Sequence, residues 1–206
     1  SITPAYHWGQ IVENINRLDN TFLLNVMTPH KSGVRVLPST SHLYGYPPLT
    51  PQIMDRILAT MKKTFDFIIV DAGQTLDGPT LKTIEMAERN FLITLLNLPC
   101  LHNTNNLLKS LSTISTAQED RVKLVANRYL KNNDIAIAEA EESVQSEIFW
   151  TIPNDYKTTM SAINRGKPLF EIAPKAKITK KIDGLVETLL HGEREVKKKG
   201  WFFRKK

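Results

Sequence analysis

The sequence predicts an α/β fold, a parallel sheet flanked by helices. Three observations predict it. Short runs of β-branched and aromatic residues alternate with segments whose apolar residues recur at helical spacing. Several of those runs lead into polar residues, as at Asp71, Asn127 and Asp155. The 206 residues are 41% apolar and 23% charged, the balance of a globular chain with room for a core.

Trp8, Ile11, Val12 and Ile15 follow Thr3-Pro4 at helical spacing, the mark of an amphipathic helix. Gly33–Pro38 reads as a short strand closed by its proline, and residues 39–51 as a loop dense in Pro, Gly and Tyr. Thr50-Pro51 supplies a helix cap and a first-turn proline, with Ile53, Met54, Ile57, Leu58 and Met61 as the stripe behind them. Thr64–Gly73, TFDFIIVDAG, is the pivotal stretch. Its unbroken apolar block is the pattern of a strand buried on both faces of a parallel sheet.

A helix through Leu81, Ile84 and Ala87 follows, then a strand from Asn90 to Leu96 and a helix striped by Leu107, Leu108, Leu111 and Ile114. Val122–Ala126 is a strand running into Asn127-Arg128-Tyr129. Ile135–Val144 is a helix, and Ile148–Ile152 a strand running into Pro153-Asn154-Asp155. Helices from about 157 to 165 and 178 to 191 close the domain, each stopped by a glycine.

Cys100 is the only cysteine, which excludes a disulfide framework and a thiolate metal cage, and it reads as a small buried apolar residue. The five histidines show no metal-ligand spacing. No stretch approaches the roughly 18 apolar residues of a membrane-spanning helix, and the expected compartment is the cytoplasm. The net charge is +6, but residues 193–206 alone carry seven cations against two glutamates. Basicity therefore belongs to the tail, and the body is near neutral.

Asp71, Asn127 and Asp155 each follow an apolar strand, so all three are expected at one carboxyl edge, where open α/β sheets bind ligands. A carboxylate such as Asp71 can hold Mg²⁺ through water beside phosphates, or simply cap the next turn. An asparagine amide suits the mixed hydrogen-bonding edge of adenine, and Asn127 can equally be a turn residue with left-handed φ. Asp155 can equally cap the helix that starts at Tyr156.

FDFIIVDAG, VANRY and above all IPNDYKTTMSAINRGKPLFEIAPKAKITKKI resemble the deviant Walker ATPases of the MinD/ParA superfamily. The likeness is greatest to the CpaE/TadZ branch of Tad/Flp-type pilus assembly and runs from about residue 5 to 190. It implies a P-loop NTPase-like fold of the SIMIBI/MinD type, binding ATP and Mg²⁺. By that resemblance Asp71 matches the second Walker motif as the catalytic and metal position, orienting Mg²⁺ through a water. Residues 72–77 match the switch that senses the γ-phosphate. Asn127 and Arg128 match the adenine motif, and Pro153 and Asp155 the loop against the base. The implied partners are a second protomer in an ATP-dependent homodimer and the pilus secretion machinery, with peripheral docking at the inner membrane and release on hydrolysis. A MinD-like positioning ATPase for flagella or cell division, or a catalytically inactive scaffold, are the alternatives.

One departure is large. No G-x-x-x-x-G-K-[ST] occurs in the sequence, so the groups that cradle β- and γ-phosphates are missing from it. The water-orienting aspartate stretch is missing too. The expectation is a partial ATPase domain over residues 1–192, incomplete at its N-terminus and inactive by itself, with a gap where the phosphate-loop strand belongs. Residues 193–206 form a separate basic-aromatic tail. In KKKGWFFRKK, six cations flank Trp201, Phe202 and Phe203. That suits an anionic membrane surface or a protein partner, with a solvated tail and a nucleic-acid arm as the other readings.

Overall fold

The computed structural model describes residues 2–39, 45–114 and 121–191; the tail at 193–206 lies outside them. The chain divides after Glu88 into two units, which are described separately.

The first unit is helical with one small hairpin. α1 (Trp8–Glu13) starts later than Thr3-Pro4 indicates, because the cap is His7. Its ring Nδ1 accepts from the Gly9 N–H, while Gln10 Oε1 accepts from the His7 N–H. A 3₁₀ turn (Ile15–Arg17) leads to α2 (Asn20–Val26), which Asp19 caps by accepting from the Phe22 N–H at 2.7 Å. β1 (Thr28–Pro29) and β2 (Arg35–Val36) pair antiparallel. α3 (Pro51–Lys62) has the expected Thr50 cap and buries Ile57, Leu58 and Met61. α4 (Gly78–Met86) is capped by Asp77. The helices meet over Ile11, Leu23, Val26, Ile57, Leu58 and Met61.

The doubly buried strand expected at 64–73 does not form. These residues belong to neither sheet among the described residues. Phe65 and Ile68 pack on the helical core, but Phe67, Ile69 and Val70 are exposed. A strand is a pairwise structure, and without a hydrogen-bonded neighbour the apolar run has nothing to bury its second face.

The second unit carries the sheet. β3 (Asn90–Thr94), β4 (Val122–Tyr129) and β5 (Ile148–Pro153) lie in that order, all parallel. α5 (Leu98–Ile114) and α6 (Ile137–Val144) pack on one face through Leu101, Leu124, Ala140 and Val144, with Leu92 and Ile148 beside them. The register slips by one residue at Phe149, since Leu124 opposes Ile148 and Val125 opposes Trp150. Such a bulge turns Trp150 to the face opposite Ile148.

There it meets α9 (Lys177–His191): Trp150 Nε1 donates to the Lys181 carbonyl at 3.1 Å, and Lys181 Nζ sits 4.9 Å from a ring centroid. Gly184 permits this approach, because a Cβ there would lie 3.3 Å from the indole. Helices thus cover both faces, the expected α/β architecture. α7 (Tyr156–Arg165) ends at Gly166 with φ 58°, and a short α8 (Leu169–Ile172) follows. Cys100 is half-buried in the first turn of α5 instead of fully buried.

Candidate nucleotide site at the carboxyl edge

β4 and β5 are parallel neighbours, so Asn127–Tyr129 and Pro153–Asp155 leave the sheet at the same carboxyl edge. Tyr129 opposes Pro153, and the Asn154 N–H donates to the Tyr129 carbonyl at 3.0 Å. The pairing is irregular between Ala126 and Tyr129. Within that irregularity Arg128 takes a left-handed backbone, φ 51°, which a non-glycine residue adopts at a cost. Its N–H donates to Asn127 Oδ1 at 2.9 Å. The left-handed position expected of Asn127 therefore falls one residue later, and Asn127 is the residue that holds it. With Oδ1 engaged locally, the remaining donor end of the Asn127 amide is Nδ2.

Asp155 caps α7. Its Oδ1 accepts from the Thr158 N–H at 3.1 Å, and its carbonyl accepts from the Thr159 hydroxyl at 2.8 Å. Pro153 ends β5 half-buried beside it. Four of the sequence-predicted positions, Asn127, Arg128, Pro153 and Asp155, thus gather on two adjacent strand ends.

The end of β3 adds polar groups that the sequence reading passed over. Thr94 is buried with its hydroxyl 2.8 Å from that of Thr104, and Asn97 caps α5 by accepting from the Cys100 N–H at 2.9 Å. The available signal was Asn97 just before Leu98-Pro99, a cap followed by an early-turn proline.

Asp71 belongs to the first unit, exposed on the unpaired segment. Gly73 after it is left-handed, φ 72°, and the chain stays exposed to Asp77. Asp77 is tied down: its Oδ1 accepts from the Thr80 N–H at 2.9 Å. That backbone bond, and then one with the Thr80 side chain, hold its carboxyl below the usual aspartate value. A polar hollow of about 440 Å³ in this unit is lined by Leu18, Asp19, Asn20, Thr21, Thr60 and Lys63, none of them a predicted site residue.

The described residues contain no cluster of three His, Cys, Asp or Glu able to hold a metal. Mg²⁺ is commonly bound by one or two carboxylates with water and substrate phosphates. Asp71 fits as one such carboxylate, through water. The base end of a nucleotide fits the amide chemistry of Asn127.

No protein-family model matches the chain, and no curated protein sequence does. Solved structures do. A ParA family ATPase from Chlorobium tepidum TLS superposes with a TM-score of 0.80 at 23% identity, over 92% of this chain and 77% of its own. MinD of Aquifex aeolicus, in its cell-division complex with MinC, gives 0.69 at 15% identity over 87% and 70%. The septum site-determining MinD of Pyrococcus horikoshii OT3, complexed with Mg-ADP, gives 0.62 at 19% identity over 88% and 79%. The fold is that of the ParA and MinD ATPases. In this ParA/MinD-type fold the strand ends carrying Asn127 and Asp155 occupy the edge at which open α/β sheets bind ligands. Among the described residues no helix is long and apolar enough to cross a membrane.

Proposed function

We propose that this chain is part of a MinD/ParA-like ATPase that acts in localisation and assembly of Tad/Flp-type pili. The observation that carries the nucleotide reading is the convergence of Asn127-Arg128 and Pro153–Asp155 on adjacent parallel strand ends, joined by the Asn154–Tyr129 hydrogen bond. Asn127 contacts adenine, Pro153 packs on the base, and Asp71 orients Mg²⁺ through water. The likeness of IPNDYKTTMSAINRGKPL to the CpaE/TadZ branch favours pilus assembly over flagellar or cell-division positioning. An ATP-dependent homodimer that docks peripherally at the inner membrane and recruits secretion machinery completes the reading.

The test is calorimetric titration of the 206-residue chain with adenosine and with ATP plus Mg²⁺. The two are expected to bind with similar affinity, because the chain offers contacts to the base without a phosphate cradle. ATP turnover by the chain alone is expected to be absent. Asn127→Ala should weaken both ligands about tenfold, some 1.4 kcal/mol. Failure of either ligand to bind the unsubstituted chain rejects the nucleotide site.

A further inference from the structure

Residues 156–181, which form α7, α8 and the start of α9, hold seven cations against one carboxylate, Glu171. All seven cations, from Lys157 to Lys181, are exposed. The near-neutral total of the body conceals this concentration. Large apolar side chains lie uncovered among the charges: Tyr156 is 70% exposed, Ile163 63% and Phe170 55%. Tyr156 and Ile163 stand seven residues apart on α7, two turns along one face, whereas Ala162 is buried.

The three helices are linked closely. α8 packs against α7, and the Lys167 N–H at the turn between them donates to the Ala162 carbonyl at 3.1 Å. The Thr179 hydroxyl on α9 donates to the Ala173 carbonyl at the end of α8 at 2.7 Å. All of these elements follow β5 in the second unit. The surface needs none of Asp71, Asn127, Arg128, Pro153 and Asp155.

The mixture of side chains restricts what fits. Two copies of the surface repel each other, since like charges would face across the contact. A nucleic-acid backbone is held by cations and gains little from Ile163 and Phe170. A bilayer of anionic lipid uses both kinds of group: apolar side chains enter the boundary between headgroups and acyl chains, while cations meet the negative surface. Long lysine stems reach the headgroups from beside an inserted apolar residue.

We propose that α7, α8 and the start of α9 form a docking face for an anionic lipid bilayer, with Ile163 and Phe170 entering the interface and the surrounding cations meeting lipid phosphates. The inference rests on the peripheral-membrane element of the proposed function, and it places a lipid contact on the folded second unit in addition to the basic-aromatic tail.

Sedimentation with phosphatidylglycerol vesicles tests it, with phosphatidylcholine vesicles as the neutral control. The full chain is expected to bind the anionic vesicles alone, and a chain lacking residues 193–206 to retain binding. In that shortened chain Ile163→Ser with Phe170→Ser should weaken binding at least about tenfold, since two apolar side chains lose their burial. Lys167→Glu with Lys175→Glu should weaken it about tenfold as well, through repulsion from the anionic surface. All four side chains are exposed, so circular dichroism should be unchanged. A full chain that ignores phosphatidylglycerol overturns both this face and the peripheral-membrane reading. Binding that disappears with residues 193–206, or that survives both pairs of substitutions in the shortened chain, overturns the face alone and leaves the membrane reading to the tail or another surface. Duplex DNA binding that the lysine pair weakens and the Ile163–Phe170 pair does not, without vesicle binding by the shortened chain, assigns the surface to nucleic acid instead.

Discussion

Residues 64–71 and 122–129 are built from similar material, yet one is largely exposed and joins neither sheet of the described residues, while the other is the centre of a sheet. In β4, Leu124 is 1% exposed, with β3 and β5 bonded on its two sides. In the other run, Ile69 is 96% exposed. Both stretches join β-branched residues to a terminal polar group, Asn127 in one and Asp71 in the other. The difference teaches that an apolar run encodes the capacity to be a strand, whereas hydrogen-bonded neighbours make it one. It bears on chemistry as well. The paired run delivers Asn127 to an edge shared with Asp155, and the unpaired run leaves Asp71 on an exposed segment of the first unit.

The sharpest test of this contrast is a pair of truncations read by urea unfolding. Leu124→Ala removes a fully buried side chain from the α5–α6 core and should cost about 2–5 kcal/mol. Ile69→Ala should stay within about 0.5 kcal/mol, as surface changes do. Equal losses would mean that Ile69 is covered in solution, and the contrast would collapse.

A smaller effect separates capping from binding at the sheet edge. Asp155→Ala should cost about 1 kcal/mol through loss of the α7 cap, and Asp155→Ser should recover most of it. If adenosine binding is restored by serine, Asp155 acts by shaping the α7 start. Binding lost in both variants gives its carboxylate a direct contact.

The smallest effect concerns Asp77 at the head of α4. Its lowered carboxyl value means that the ionised form is favoured by folding. The associated stability is present above the ordinary aspartate range and is lost as pH falls through the lowered folded value. Asp77→Asn should therefore flatten the acid limb of the stability curve while leaving its neutral region in place. An unchanged acid limb would remove Asp77 from the titration.

Most secondary structure was legible because its causes are local. The Thr50-Pro51 start of α3, the Gly166 stop of α7 and the strands running into Asn127 and Asp155 follow from capping, backbone freedom and side-chain pattern. Arg35–Val36 falls inside the strand read at Gly33–Pro38, whereas its partner Thr28–Pro29 and the four-residue α8 are too short to show a period. The start of α1 was displaced because His7 and Gln10 form a reciprocal cap that no single residue advertises.

By itself, then, the sequence determined the parallel α/β class and the polar residues at the ends of β4 and β5, since hydrophobic period and turn chemistry are written residue by residue. Tertiary structure alone decided the slip at Phe149 that turns Trp150 toward α9, the left-handed Arg128 held by Asn127, and the unpaired state of residues 64–71. Each of these depends on which strand or helix lies alongside, and a neighbour is a property of the folded chain.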